Sequence, residues 1–336
     1  MILIVCSHGD GDITCVTDRL RSMGHAYFVF DPEDYPARST MSVSFDGRGI
    51  AGCLRKGAHD EVDFEDIHAA WYRHPGKVRA SDTVRDARTR AVIEDESRLL
   101  LQGVWAALPC RWMPAPPDRI PAAEFKVREL LVAQAVGFEL PHTLLTNDER
   151  AFLSFAGGGK RVISKAFGTS VVREVPGLAR YTERVSHRNL LHYQSVRLAP
   201  AIFQEQIAKR VEIRATVVGE QVFAVEIHSQ ATARTRQDWR RYNIGHTPHL
   251  RHSLPAAVAA QCVQVVARLG LCFGAIDLIL TPEGRYVFLE VNAGGQWQWM
   301  EELTGLPIYD AVARLLCDWD HPIAHAAHAA LEPLEA

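Results

Sequence analysis

Long apolar runs are missing from this sequence of 336 residues. No stretch approaches the roughly 20 apolar residues that a membrane-spanning helix needs. The short run MILIVCS at the N-terminus has no basic segment ahead of it, so the pattern of a secretory signal peptide is missing too. Internal repeats and low-complexity tracts are not found either. What is left is a globular protein, which we expect in the cytoplasm and not in a membrane.

A strong excess of charge is also lacking. The formal net charge of -3 gives no reason to expect general binding to nucleic acid or to a membrane surface, although local basic patches are compatible with it. The seven cysteines are scattered, with no C-x-x-C pair and no ligand-like spacing to histidine. This pattern predicts buried thiols in a reducing compartment, with no disulfide framework and no zinc site.

The first third of the chain alternates strand and helix patterns. ILIVCS and HAYFVFD read as buried strands on either side of a helix over 13–23, as in an open parallel α/β sheet. The loop SHGDGD is not G-x-G-x-x-G, so Asp31, after the second strand, lacks the glycine partner that would make it a ribose ligand. A dinucleotide-binding domain is therefore the less favoured interpretation.

A proline cluster, MPAPPDRIP at 113–121, is the best candidate for a domain boundary. Beyond it, a helix pattern carries Lys126 and the strand pattern RVISKAF carries Lys165. A series of strands then begins with AIFQEQI, and the last residues form a polar tail rich in alanine and histidine. We expect helices over residues 82–107, 122–136, 187–197 and 255–269.

The last two strand patterns, GAIDLIL and RYVFLEVN, are joined by Glu283-Gly284, which suits a tight turn. Pairing 282 with 285 places Asp277 opposite Glu290, and the period of two puts Asn292 on the same face. Such oxygen ligands suit Mg²⁺, which usually binds together with substrate phosphates. The alternative is a solvated outer face, which the apolar neighbours make less favourable.

A metal site beside phosphates needs positive charge nearby. Lys165 ends an apolar strand, and Lys126 lies on a helix. Taken alone, each lysine could simply be a solvated surface residue with no role in a site. The order of these elements along the chain favours the phosphate role.

This order resembles the ATP-grasp superfamily. Its parts are a helix lysine, a strand-end lysine, a QEQI strand, an E-x-R segment and a D…E-x-N hairpin. More narrowly, WYRHP, ELPHTLLTND, SKAFG, DWRR and FLEVNAGGQWQW resemble the ATP-grasp ribosomal-peptide maturases, which are the graspetide or microviridin-type macrocyclases. The resemblance runs over about residues 1–318, and the segment E-V-N-x-x-G-Q is its most specific part.

The resemblance implies a mixed α/β and α+β architecture with an ATP-grasp fold. The expected parts are an N-terminal Rossmann-like, pre-ATP-grasp domain at 1–115, a central lid subdomain at 116–200, a C-terminal α+β catalytic subdomain at 201–320 and a flexible tail at 321–336. It also implies residue roles. Lys126 and Lys165 would contact the ATP phosphates, the backbone of Glu205, Gln206 and Ile207 would pair with adenine, Glu212 would bind the ribose, Arg214 would stabilise the transferring phosphate, and Asp277, Glu290 and Asn292 would hold Mg²⁺.

The activity implied by the resemblance is ATP-dependent macrocyclisation of a ribosomal precursor peptide. An Asp or Glu side chain of the peptide becomes an acyl-phosphate, which a Ser/Thr hydroxyl or a Lys amine attacks to form an ester or an amide. The partner would be a peptide with a leader and an acidic, Thr/Ser-rich core. Relatives are often dimers, and the oligomeric state is left open.

Substrate recognition is assigned to the segment ARTRQDWRR, where Arg240 and its neighbours would suit an acidic peptide through charge-assisted hydrogen bonds. A solvated basic loop is an equally good interpretation. Trp297 and Trp299 are expected either to pack in the core or to contact the peptide. Two other functions are kept as alternatives: a ligase that acts on free amino acids or adds residues to a protein or a small carboxylic acid, and a nucleotide-binding scaffold.

Overall fold

The computed structural model describes residues 1–45, 49–57, 60–168, 181–231, 235, 239 and 247–321. By its internal contacts the chain divides into two compact units. The first comprises Met1–Ala123, Gly270–Gly274 and the C-terminal stretch that starts at Pro307, and the second comprises Glu124–Leu269 and Ala275–Leu306. The division into a lid and a catalytic subdomain at residue 200 stays a prediction.

Strands occur in both units. In chain order they are β1 (Ile2–Cys6), β2 (Tyr27–Phe30), β3 (Ser39–Phe45), β4 (Ile50–Lys56), β5 (Asp60–Asp63), β6 (Ala69–Arg73), β7 (Arg111–Met113), β8 (Thr143–Thr146), β9 (Val162–Lys165), β10 (Glu183–Arg184), β11 (Ala201–Glu205), β12 (Val211–Val218), β13 (Gln221–Ile227), β14 (His249–His252), β15 (Phe273–Leu280) and β16 (Tyr286–Asn292).

The helices are α1 (Gly11–Ser22), α2 (Ala87–Ala107), α3 (Ile120–Ala123), α4 (Lys126–Val136), α5 (Glu149–Ala156), α6 (His187–Leu191), α7 (Ala256–Arg268), α8 (Gln298–Thr304) and α9 (Ile308–Trp319). In the part of the chain that the structure describes, none of the helices is long and apolar enough to cross a membrane.

The first unit is built on a parallel sheet in the order β2-β1-β6-β7. Every residue of β1 is buried, as expected for a central strand of a parallel sheet. Trp105 packs edge-on against Phe30 and Trp112, with ring centroids 5.7 and 5.9 Å apart. The predicted open parallel α/β sheet is therefore confirmed for this unit.

Asp31 has a structural task in this unit. Its carboxylate accepts hydrogen bonds from the backbone N–H groups of His8, at 2.8 Å, and Glu33, at 2.9 Å. Gly76 lies so close that a Cβ atom there would meet Asp31 Oδ1 at 2.5 Å. These contacts cap the turn that follows β2, in keeping with the sequence argument against a ribose ligand.

A small antiparallel sheet, in the order β3-β4-β5, was not predicted from the sequence. Its strands have few buried positions. A half-exposed sheet without a regular apolar alternation leaves little trace in the sequence.

The second unit holds two sheets. One has the order β10-β9-β11-β8 and is antiparallel, with Phe152 of α5 packed on Phe203 of β11. The other has the order β14-β13-β12-β15-β16, and α7 packs against β12 and β13. This second sheet carries the E-x-R segment on β12 and the D…E-x-N hairpin on β15 and β16.

Three predicted helices are shorter in the structure. The helix expected over 82–107 starts at Ala87, after the N-cap Asp86. The helix expected over 122–136 is divided, because Phe125 is extended at φ −68° and ψ 114° and α4 starts at Lys126. The helix expected over 187–197 ends at Leu191, and a short 3₁₀ segment, Tyr193–Leu198, follows it.

Candidate active site

The hairpin of β15 and β16 places Asp277 directly opposite Glu290, as the sequence predicts. The predicted two-residue turn is wrong. The Thr281 N–H donates to the Arg285 carbonyl at 2.9 Å, which leaves a loop of Pro282, Glu283 and Gly284, with Gly284 at φ +86°. The pairing then shifts between Asp277 and Leu278. This bulge restores the register that the longer loop had displaced.

Asp277 is buried and has close neighbours from two strands. Arg214 on β12 donates from Nη1 to Asp277 Oδ1 at 2.9 Å, and both side chains are about one-tenth exposed. The carboxamide nitrogen of Asn292 lies 3.5 Å from Asp277 Oδ2. A half-turn of that amide presents its oxygen instead, the atom that a hard cation binds.

Gly295 brings the backbone against this pair. A Cβ atom on Gly295 would lie 2.3 Å from the Ala275 Cβ and 2.7 Å from Arg214 Nη2. Both distances are shorter than side-chain atoms tolerate, so only glycine fits.

Lys126 lies at the start of α4, beside the second carboxylate of the hairpin. Its Nζ is 3.1 Å from Glu290 Oε2 and donates to Glu129 at 3.1 and 3.2 Å. Burial alone would lower the pKa of Lys126, but attraction to Glu290 and Glu129 outweighs it and the pKa is raised. Lys126 is therefore charged at neutral pH.

Glu212 lies two residues before Arg214 on β12, so the two side chains share a face of the sheet. Its Oε1 accepts hydrogen bonds from Lys209 Nζ at 3.0 Å and from Ser229 Oγ at 2.7 Å. Burial raises the pKa of the Glu212 carboxyl, although Lys209 and Ser229 oppose the shift.

The donor set on the hairpin fits a hard divalent cation. It offers two facing carboxylates and one carboxamide, and each carboxylate is now balanced by a cationic side chain. Among the described residues, no group of three or more His, Cys, Asp or Glu side chains is arranged to hold a metal ion. Such a cation would take its other ligands from water and phosphate, as Mg²⁺ commonly does.

Comparison with known proteins gives relatives over nearly the whole chain. Residues 1–118 match the family described as the MvdD pre-ATP grasp domain. The macrocyclase MdnB from Microcystis aeruginosa MRC is 31% identical, with a TM-score of 0.75, and the match covers 94% of this chain and 98% of that one. The chain belongs to the ATP-grasp ribosomal-peptide macrocyclase family. No curated protein matches it.

Two other solved structures are similar to this chain over nearly its whole length. A RiPP-associated ATP-grasp ligase from Chryseobacterium gregarium, solved with ADP and with a leader and a core peptide, is 27% identical, with a TM-score of 0.87 and coverage of 96% of this chain and 99% of that one. The macrocyclase MdnC from Microcystis aeruginosa MRC, bound to the precursor peptide MdnA, is 28% identical, with a TM-score of 0.82 and coverage of 94% and 99%.

The remaining predicted nucleotide residues of this ATP-grasp macrocyclase lie on the other sheet of the second unit. Lys165 is the last residue of β9 and pairs with Ile202. Glu205 ends β11. The N–H groups of Glu205 and Gln206 already donate to the carbonyls of His142 and Arg161, at 2.9 and 2.7 Å.

Some sequence predictions fall outside the described residues. Arg240, assigned to the peptide substrate, is one of them, and so are Arg234, Arg236 and Arg241. Trp297 is completely buried, which agrees with the first of its two expected roles, packing in the core. Trp299 is half-buried, with its ring 5.5 Å from Trp239 and 5.2 Å from His249.

Four of the seven cysteines are unsuited to nucleophilic chemistry. All seven are free thiols. Burial raises the pKa of Cys6, Cys110, Cys262 and Cys272 to about 12, so these four thiols stay protonated at neutral pH. A protonated thiol is a poor nucleophile.

Sequence reasoning gave no role to three residues that the structure places in the site: Glu124, Glu129 and Lys209. The Glu124 and Glu129 carboxylates accept the N–H groups of Ala293 and Val291, each at 3.1 Å. Burial raises the pKa of Glu129 to about 7. The only trace in the sequence is the spacing of three between Lys126 and Glu129 and between Lys209 and Glu212.

Proposed function

We propose that this protein is an ATP-dependent ligase that forms ester or amide links between side chains of a ribosomal precursor peptide. The observation that carries the proposal is the buried cluster of Arg214, Asp277, Asn292, Glu290 and Lys126. Such a cluster offers alternating positive and negative groups of the kind that phosphoryl transfer needs. A similar ligase, 27% identical, has been solved with ADP and with leader and core peptides.

In the proposed reaction, an Asp or Glu carboxylate of the peptide attacks the γ-phosphate of ATP, and ADP leaves. A Ser/Thr hydroxyl or a Lys amine then attacks the carbonyl carbon of the acyl-phosphate and loses its proton. The new C–O or C–N bond forms as the C–O bond to phosphate breaks, and inorganic phosphate leaves. Each link thus consumes one ATP and removes one water from the peptide. Phosphoryl transfer depends on alignment and charge neutralisation, so no covalent group of the protein is needed.

Arg214 and Lys126 supply the fixed positive charge. Arg214 has a planar guanidinium with five donors, of which one is used by Asp277. Its Nε is buried and has no hydrogen-bond partner among the described residues. We assign this unused donor capacity to the transferring phosphoryl group and to the acyl-phosphate.

Asp277, Glu290 and Asn292 would hold Mg²⁺. When bound, Mg²⁺ neutralises phosphate charge and orients the phosphate oxygens. The role of the three side chains is to present oxygen ligands on two strands whose register is set by the hairpin. Gly295 lets the backbone lie close to Arg214.

The nucleoside part of ATP is assigned to the ends of β11 and β12. Because the N–H groups of Glu205 and Gln206 are already used within the protein, the N–H of Ile207 is the donor assigned to adenine. Glu212 would bind the ribose, and its Oε1 is held in place by Lys209 and Ser229. Lys165 is assigned to the phosphates.

The peptide partner follows from the family. We assign Arg240 and the neighbouring arginines of ARTRQDWRR to the acidic core of the precursor, on the strength of their charge. The cytoplasm is the proposed compartment, because the cysteines form no disulfides. A dimer remains an expectation taken from the relatives.

The decisive experiment is incubation of the protein with ATP, Mg²⁺ and a candidate precursor peptide that ends in alternating Thr/Ser and Asp/Glu. Mass spectrometry should show the loss of one water for each link, with release of one ADP. An unchanged peptide under conditions in which free amino acids become joined would contradict this function and favour a small-molecule ligase. A protein that binds ATP but releases no ADP would be a scaffold.

A further inference from the structure

Glu129 carries a carboxylate that is almost completely buried, since only 1% of the residue is exposed. Lys126 Nζ donates to both of its oxygens, at 3.1 and 3.2 Å. The backbone N–H of Val291, which lies between Glu290 and Asn292, donates to its Oε2 at 3.1 Å. One side chain therefore joins the phosphate lysine to the strand that carries two of the cation ligands.

The second partner of Lys126 is Glu290, whose Oε2 is 3.1 Å from Nζ. A divalent cation at Glu290 would compete with Lys126 for that carboxylate and would also repel its ammonium group. The side chain of Lys126 is only 13% exposed. A charged group in such a place needs a counter-ion to stay charged.

We propose that Glu129 is a positioning residue, which holds Lys126 in place when a divalent cation takes Glu290. An ammonium group has three N–H donors, so Lys126 can keep Glu129 and give another donor to a nucleotide phosphate. The inference rests on the proposed function, because it requires a cation at Asp277, Glu290 and Asn292.

Packing alone gives no reason for a carboxylate at this position. An apolar side chain of similar size would fill the space without the cost of desolvating a charge. An acidic residue in the first turn of a helix gains a little stability from the helix dipole, and α4 has Glu129 there. This gain is small beside the cost of burying an ionised carboxylate.

The test measures Mn²⁺ binding in the presence of ADP. Mn²⁺ takes the same oxygen ligands as Mg²⁺, and the free ion is followed by electron paramagnetic resonance. Glu129→Gln keeps the size of the side chain and an oxygen for the Val291 N–H, but removes the charge. Lys126 must then rely on Glu290, so the dissociation constant for Mn²⁺ should rise by about 10- to 100-fold.

A double-mutant cycle separates action through Lys126 from a purely structural role. In a Lys126→Met background, adding Glu129→Gln should change Mn²⁺ binding little. The control is Glu139→Gln: Glu139 also borders β16, through its backbone carbonyl, but its side chain pairs with Arg285. This variant should bind Mn²⁺ as the wild type does.

Two results would overturn the inference: unchanged Mn²⁺ binding by Glu129→Gln, or an equal loss in both backgrounds. If Glu129→Gln does not fold, as judged by circular dichroism, Glu129→Asp replaces it, and its weaker Mn²⁺ binding must again depend on Lys126. A wild-type protein that binds neither Mn²⁺ nor ADP would contradict the proposed function itself, which keeps the two failures distinct.

Discussion

Arg214 on β12 and Asp277 on β15 form a buried ion pair, with 2.9 Å between Nη1 and Oδ1. The arginine assigned to the transferring phosphate thus also holds a carboxylate assigned to the cation. The two side chains hold each other in place, so a change in either one should affect both phosphate transfer and cation binding.

Arg214→Lys should lower kcat by about 100-fold or more, because a point charge on a flexible stem cannot replace the planar guanidinium. ADP release in the presence of peptide measures this. The control is Arg251→Lys, on the same sheet, since Arg251 donates to the backbone carbonyls of Thr304 and Gly305. Similar rates for Arg214→Lys and the wild type would remove Arg214 from the transfer step.

Gly295→Ala should lower both stability and turnover. The new Cβ would meet the buried Ala275 at 2.3 Å and displace Arg214, and such overpacking costs about 1–3 kcal/mol. Urea denaturation and ADP release measure the two effects. Gly103→Ala is the control: it lies in α2 with no atom within 4 Å of the added Cβ, and it should stabilise the protein by about 0.5–1 kcal/mol. A fully stable and active Gly295→Ala protein would contradict the close approach described here.

Glu290→Gln should abolish turnover while weakening ADP binding much less. The variant keeps the shape of the side chain but loses the charge that a divalent cation needs, and the cation acts mainly on the transferring phosphate. Calorimetric titration with ADP and a turnover assay separate the two effects. Glu283→Gln, in the exposed loop of the same hairpin, should behave as the wild type. Equal turnover by Glu290→Gln and the wild type would refute the metal assignment.

Asp320→Asn should lower the melting temperature at neutral pH. Burial alone would raise the pKa of Asp320, but hydrogen bonds with His25, the N-terminal amine and His68 outweigh burial and hold the pKa below its ordinary value. A carboxyl whose pKa is lower in the folded state stabilises the fold fully above about pH 4, and this stabilisation is lost as the pH falls through the folded-state value.

Thermal melts of the wild type and of Asp320→Asn, from neutral pH down to below about pH 4, test the sign of this pH dependence. The difference should amount to about 2–4 °C for each kcal/mol lost in a domain of about 150–250 residues. It should shrink as the solution is acidified. Asp318→Asn, at an exposed position of α9, is the control. A difference that grows towards low pH would contradict the proposed linkage.

The pairing of Asp277 with Glu290 was predicted correctly from the sequence, but the prediction missed two features of the hairpin. The period of two and a turn signal place the residues correctly only because the longer loop and the bulge next to Asp277 cancel. A bulge has no clear mark in a single sequence, since it depends on how the two strands pack. The agreement at Asp277 therefore does not extend to residues nearer the turn.

Glu124 and Glu129 show what sequence patterns cannot supply. Both belong to the segment that was expected to be one continuous helix. Their carboxylates nevertheless accept N–H groups from Ala293, just after β16, and from Val291 on β16, which lie 169 and 162 positions later. Such long-range hydrogen bonds follow from the fold, and local periodicity contains no information about them. The small sheet of β3, β4 and β5 escaped prediction for the simpler reason that little of it is buried.

The first unit is assembled from distant parts of the chain, because α9 packs on α1 and β6. During synthesis on a ribosome, the parallel sheet would emerge long before the helix that covers it. The part of the sheet on which α9 packs would lack that helix while the whole second unit is being made. Nascent chains stalled before Pro307 should therefore hold this sheet in a protease-sensitive state, and release of the last helix should protect it.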